Sequence, residues 1–209
     1  EKALSALQEA SLLEPDNHRV HFLLGITNFN LDKYEESAIE LQKAISIKPE
    51  TEEYHFNLGA VYEKLGNIEG TIKEMKQVIA LNPKSASAYN FIGYLYAERS
   101  VKLDESLELI NKALEIEPDN GYFVDSLGWA YYKKGMLKEA REVQERAVSL
   151  VPDDPVIRDH MGDIYRDLNM NPQAAKQWEK ALELKPDEVK VKQKLENLRH
   201  LLEKETSAR

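Results

Sequence analysis

The chain has 209 residues, with 37 acidic against 28 basic side chains and a formal net charge of −9. That balance argues against a phosphate-binding surface, which is built from clustered Lys and Arg, and leaves basic or apolar partners open. There is no cysteine, so disulfides, thiolate metal sites and a cysteine nucleophile are excluded and the compartment is left open, while no apolar run approaches the roughly 18 residues of a membrane span.

Residues 1–17 carry Ala3, Leu7, Ala10 and Pro15, and proline then recurs at Pro49, Pro83, Pro118, Pro152 and Pro186. The intervals are 34, 34, 35, 34 and 34 residues, so the molecule is one small unit repeated. With the proline at position 32, the full units are 18–51, 52–85, 86–120, 121–154 and 155–188, and residues 1–17 supply only the second half of a unit. Position 8 is Gly25, Gly59, Gly93, Gly128 and Gly162; position 11 is Asn28, Tyr62, Tyr96, Tyr131 and Tyr165; position 27 is Ala44, Val78, Ala113, Ala147 and Ala181. Apolar residues at helical spacing, such as Leu58, Val61, Tyr62 and Leu65, predict a first helix in each unit. Glycine inside a helix costs about 1 kcal/mol relative to alanine. Five at one phase therefore predict a close approach of two helices, with the small residues of position 27 on the other side.

Helix ends are legible too. Gly66 and Gly135 stand where first helices should close on a left-handed residue. Asp32 with Glu35 has the spacing of a capping box, and Asn171 followed by Pro172 reads as a cap and first-turn pair. The proline of position 32 ends the second helix. The extra residue of the third unit falls in the loop around 99–102. Residues 189–205 carry an amphipathic stripe, Val189, Val191, Leu195, Leu198, Leu201 and Leu202, with no closing proline, and read as a capping helix. Residues 206–209 read as a frayed tail. The second helix in residues 1–17 lacks a first helix to pack on, which leads to the expectation that the natural chain continues upstream.

The segments Asn57-Leu58-Gly59-Ala60-Val61-Tyr62 and Ala140 through Ala147 closely match the pattern L-G-x-x-Y, then A-x-x-x-(apolar)-x-x-A, then proline. In this the chain resembles the tetratricopeptide repeat family over about nine-tenths of its length. It departs from that pattern at Asn28, at Ser37, Thr71 and Ser106 in place of the position-20 alanine, and at Val78. The resemblance implies an all-α, right-handed α-solenoid of helix-turn-helix repeats. It also implies a non-catalytic scaffold that binds a protein or peptide in the concave wall made by its first helices. Positions 2, 5, 9, 12 and 13 line that wall in the family. Carried onto this chain, they include Phe22 and Phe29, then Phe56, then Asn90 and Tyr94, then Tyr122, Asp125, Trp129 and Tyr132, then Asp159, Asp163 and Arg166. Trp129 and Tyr94 share one position in adjacent units and are read as exposed binding anchors. The acidic residues of the last units would meet basic side chains of the ligand.

The same residues bear on other readings. Chaperone-binding members of the family hold a terminal carboxylate with a cationic clamp, but the corresponding positions hold Phe22, Ile26, Asn57, Ser87 and Phe91, of which only Asn57 fits. His18 and His21 are spaced as two ligands on one helix face, yet no third ligand is legible, so neither metal nor cofactor is expected. There is no H-E-x-x-H, no G-x-S-x-G and no phosphate-cradling loop, which points away from an enzyme. The array could serve as the substrate-recognition arm of an enzyme lying upstream, or self-associate through the face of Ala3, Leu7 and Leu12. The stretch from Val124 to Tyr132, with Val151 to Pro155, is similar to C-terminal arrays of bacterial envelope adaptors that present substrates to a processing protease. A bacterial envelope location is therefore favoured over the cytoplasm.

Overall fold

A computed structural model describes residues 2–207, with side chains described through residue 204. Among the described residues every regular element is an α-helix. In chain order they are α1 (Lys2–Leu13), α2 (His18–Asn30), α3 (Tyr34–Ile47), α4 (Glu52–Lys64), α5 (Ile68–Leu81), α6 (Ala86–Glu98), α7 (Leu103–Ile116), α8 (Gly121–Lys133), α9 (Leu137–Leu150), α10 (Pro155–Asp167), α11 (Asn171–Leu184) and α12 (Val189–Ser207). The helices pack as antiparallel pairs, α2 with α3, α4 with α5, α8 with α9 and α10 with α11, and each pair rests on its neighbour through α3–α4 and α9–α10. The chain forms two compact units, Glu1–Tyr89 and Asn90–Arg209, with α6 beginning in the first and ending in the second. Helix α12 runs to Ser207, past the predicted end at 205, and residues 208–209 of the predicted tail lie outside the described residues.

Each repeat turns on the same backbone device. The residue at position 15 is left-handed in all five units: Asp32, Gly66, Ser100, Gly135 and Asn169 have φ between 53° and 80°. Gly66 and Gly135 stand there as predicted, since glycine adopts this conformation without steric cost. Asp32 is a correction. It is the turn residue, its carboxylate accepts from the Tyr34 hydroxyl at 2.6 Å, and α3 starts after Lys33 without a side-chain cap. Likewise α11 starts at Asn171 itself, one residue earlier than predicted. Three side-chain caps stand before first helices, where Asn17, Asn120 and Asp154 each accept two backbone N–H bonds, and a fourth, Asn67, caps the second helix α5 by accepting from Gly70. The linker of the third unit, 99–102, is one residue longer than the others, and its last residue, Lys102, is again left-handed.

The close approach at position 8 is present, but its partner is not position 27. A β-carbon on Gly25 would lie 2.6 Å from Leu41, one on Gly59 2.7 Å from Met75 and one on Gly93 2.5 Å from Ile110. Gln144 and Trp178 stand over Gly128 and Gly162 in the same way. All five are position 24, and the small residues of position 27 are buried beside them. The serines that replace alanine at position 20 fasten this contact: Ser37 donates to the Gly25 carbonyl at 2.7 Å, and Ser106 to that of Gly93 at 2.6 Å.

In the first unit the core gathers Ala38, Leu41, Leu58 and Val61, with Phe22, Phe29 and Tyr62 packed against it. In the second, Ala174, Trp178 and Ala181 meet Val191, Leu195 and Leu198 of α12, while Val189 and Leu201 of the predicted stripe stay exposed.

Candidate functional site

The first helices carry the predicted wall, and each unit uses it differently. In the first unit the aromatics serve packing. Phe22 stacks on Tyr54 with centroids 4.8 Å apart, and Phe29 meets Tyr34 edge-on at 5.6 Å. Phe56 is half-buried and lines a cleft of about 660 Å³ with Glu53, Asn57, Ser85 and Ser87. Asn57 donates to the Glu53 carbonyl at 2.7 Å.

The histidines of this unit are structural. Nδ1 of His21 lies 2.6 Å from the Glu40 carboxylate, while its Nε2–H donates to the Pro15 carbonyl at 2.8 Å. His55 repeats the arrangement with Glu74 at 2.6 Å and Pro49 at 2.8 Å. His18 faces the Tyr54 hydroxyl at 2.6 Å. His18 and His21 thus go to different partners, and among the described residues no group of three or more His, Cys, Asp or Glu is placed to hold a metal. Glu40 sits below the usual carboxylate range; burial opposes this, but hydrogen bonds from Lys43 and His21 outweigh it.

In the second unit the wall is an interlocked polar network. Trp129 is only 7% exposed, which corrects its reading as an exposed anchor. Its ring stacks with His160, 4.0 Å away, and with Tyr132, 4.8 Å away, and Lys133 stands 4.8 Å from the ring centroid. The indole N–H donates to Glu98 at 2.7 Å. Tyr94 is half-buried against the same cluster, and so is not a free anchor either.

The acidic wall is also occupied from within. Asp125 and Asp163 are buried. Asp125 accepts from Gln144 and faces Nδ1 of His160 at 3.0 Å. Lys194, on α12, donates to Asp159 at 2.7 Å and to Asp163 at 2.7 Å. Burial pushes the Asp163 carboxyl up, and Lys194 only partly offsets it. Burial opposes the charged form of His160, but Asp125 beside it, with Asp159 and Asp163 behind, raises its pKa above the ordinary histidine value.

The residues that reach solvent are fewer than predicted. Tyr122 is 57% exposed. Tyr132 is half-buried, donates to Asp167 at 2.7 Å and accepts from Arg166 at 3.3 Å; burial, then Asp167, raises its pKa. Arg166 is exposed, and the buried Oδ1 of Asn90 has no hydrogen-bond partner among the described residues. Lys194 was missed in the sequence reading. It lies 35 residues beyond Asp159, one residue out of the 34-residue phase, so carrying the wall positions past Pro186 reaches Gln193 and passes beside it.

The described helices include none long and apolar enough to cross a membrane. Residues 29–66 match the family described as TPR repeat, and residues 52–85, 86–120 and 125–154 match the one described as tetratricopeptide repeat. A TPR repeat-containing protein of Pseudomonas aeruginosa is 42% identical over 53 residues, a match that spans 25% of this chain and only 9% of that protein. Among solved structures, a thermophilic TPR protein of Thermus thermophilus superposes with a TM-score of 0.73 at 20% identity, covering 87% of this chain and 98% of its own. YrrB, described as a TPR protein with an unusual peptide-binding site, superposes with a TM-score of 0.64 at 14% identity, covering 90% of this chain and 97% of its own.

Proposed function

The chain belongs to the tetratricopeptide repeat family, generally a protein–protein interaction module, and on that premise we propose that it is a non-catalytic scaffold or adaptor holding an apolar segment of another protein on the first-helix face of its second unit. The observation that carries this reading is the Trp129 stack. Its indole is held by two stacked rings and through its N–H, so Tyr132, Lys133 and Arg166 are presented around it in positions set before any partner arrives. A preordered surface loses little conformational freedom on binding, which favours affinity. Peptide binding by a neighbour of the same fold is in keeping with this reading.

The test is capture of partner protein by the immobilised chain. Tyr132→Ala with Arg166→Ala should reduce capture at least tenfold while tryptophan fluorescence reports an intact fold. Capture that is unchanged in this double variant rejects the reading.

A second reading, self-association, is favoured by one observation. Helix α1 buries no residue, and Leu12, 83% exposed, stands beside exposed Leu13. A mass that grows with concentration in light scattering, and that Leu12→Glu abolishes, is the outcome this reading requires.

A further inference from the structure

Among the described residues, five of the seven large exposed apolar side chains of the second unit gather at one edge, with Val101 and Leu201 outside it. Ile116 and Leu150 close α7 and α9, Tyr122 and Val156 stand second in α8 and α10, and Val189 opens α12. Tyr122 and Val156 are 57% and 53% exposed, far above what packing requires. Chain connectivity makes this edge continuous. The loop 117–120 with Gly121 joins Ile116 to Tyr122, and the loop 151–154 with Pro155 joins Leu150 to Val156. The two connections touch, because Gly121, the first residue of α8, sits so close to Leu150 and Val151 that a β-carbon there would overlap Val151.

The same two loops contain Glu117, Asp119, Asp153 and Asp154 and no Lys or Arg. Arg146 pairs with Asp119 at 2.9 Å, and Asp154 caps α10. Asp153 is exposed and makes no hydrogen bond or ion pair among the described residues. Arg158 donates to the Pro152 carbonyl, and Glu117 accepts from the neutral Asn120 amide, so Glu117 and Asp153 are the carboxylates left with neither a cation nor a helix N-terminus among the described residues. An apolar edge with this acidic rim selects against a second copy of this chain, whose formal net charge is −9.

We propose that this edge docks a basic amphipathic helix of a partner protein, its apolar side chains on Tyr122 and Val156 and its Lys or Arg side chains against Glu117 and Asp153. Helices α8 and α10 touch, so their second residues lie roughly 10 Å apart. An α-helix rises about 1.5 Å per residue, so side chains seven apart, on one face, span that distance. The proposal rests on the protein-binding reading above and names the partner's chemistry. It differs in the residues it needs, since Tyr132 and Arg166 belong to the first-helix face and not to this edge.

The experiment is fluorescence anisotropy of the 209-residue chain with a labelled helical peptide carrying Leu at seven-residue spacing and Lys on its flanks. A scrambled peptide of the same composition and a Glu-for-Lys peptide serve as controls. The expected result is binding of the first peptide alone, weakened at least tenfold by Tyr122→Ser with Val156→Ser. Asp153→Lys should weaken binding several-fold and flatten its salt dependence. Tyr132→Ala should leave it within twofold. All three substitutions at the edge are of exposed residues, so an unchanged unfolding midpoint checks the fold. Loss through Tyr132→Ala but not through the edge pair overturns the edge and leaves the protein-binding reading standing. Equal binding of the scrambled peptide, or a dimer that the edge pair dissolves, also overturns it. The capture experiment above decides the wider reading independently.

Discussion

The two units spend their buried polar groups in different ways. In the first, two of the three histidines close local circuits, each joining its own repeat's second helix to the carbonyl of the preceding loop: His21 with Glu40 and Pro15, His55 with Glu74 and Pro49, while His18 reaches Tyr54 on the next first helix. In the second, the partners stand about one repeat apart in sequence: Glu98 with Trp129, Asp125 with His160, Tyr132 with Asp167, Asp159 with Lys194. The first pattern fixes each hairpin against its loop. The second ties successive first helices to one another across the face proposed for binding. One repeat architecture can thus be rigid by units or rigid along a surface, depending on which positions carry the charges.

The largest contrast should come from the glycines of position 8. Gly162→Ala would press a methyl into the rigid indole of Trp178, and we expect a loss of about 2–3 kcal/mol in urea unfolding. Gly59→Ala meets only the tip of Met75, which can turn aside, and the gain in helix propensity of about 1 kcal/mol offsets much of the strain. Similar losses at both sites would remove the distinction.

Next in size is Lys194→Met. It keeps the apolar stem and leaves Asp159 and Asp163 without their cation, at an expected cost of about 2 kcal/mol, moderated because the lysine is partly exposed. Both tryptophans, Trp129 and Trp178, lie in the second unit, so their fluorescence reports the loss there alone. An unchanged fluorescence midpoint would show the triad to be dispensable.

The smallest effect is on pH dependence. His160 has its folded pKa raised, so its contribution is complete below the unfolded value of about 6.5 and is lost as pH rises through the folded value. Glu40 has its pKa lowered, so its contribution is present above the unfolded carboxylate range and is lost as pH falls through the folded value. The tryptophan-monitored midpoint should therefore decline as pH rises above about 6.5, and His160→Gln should flatten that slope. A slope unaltered by the substitution would assign the pH dependence elsewhere.

Much of the fold was legible because it repeats. One proline period and one glycine phase place every hairpin, and Gly66 and Gly135 mark two of the five left-handed turns. Asp32, Ser100 and Asn169 hide the other three, because their side chains do not advertise a conformation that the repeat geometry imposes on them. The candidate site was less legible. Position 9 holds Trp129 on the predicted face, but burial depends on what the next repeat brings above it, and His160 arrives there by the rotation between repeats. For Asp159 and Asp163 the missing knowledge was the reach of a lysine on a helix read only as a cap.

The prolines that set the period contribute one more property. Lacking an N–H, each offers the fold only a carbonyl, and four of these carbonyls are claimed: by His21, His55, Arg158 and, for Pro118, Arg146. In three cases the donor stands six residues past the proline. In the fourth, Val124 fills that place and an arginine from the second helix substitutes. The acceptor is main chain and cannot be lost by mutation, while the donor is free to change identity and even helix. A gene segment cut or copied between successive prolines therefore carries its own fastening with it, which makes the proline-to-proline segment a natural unit for lengthening or shortening such an array.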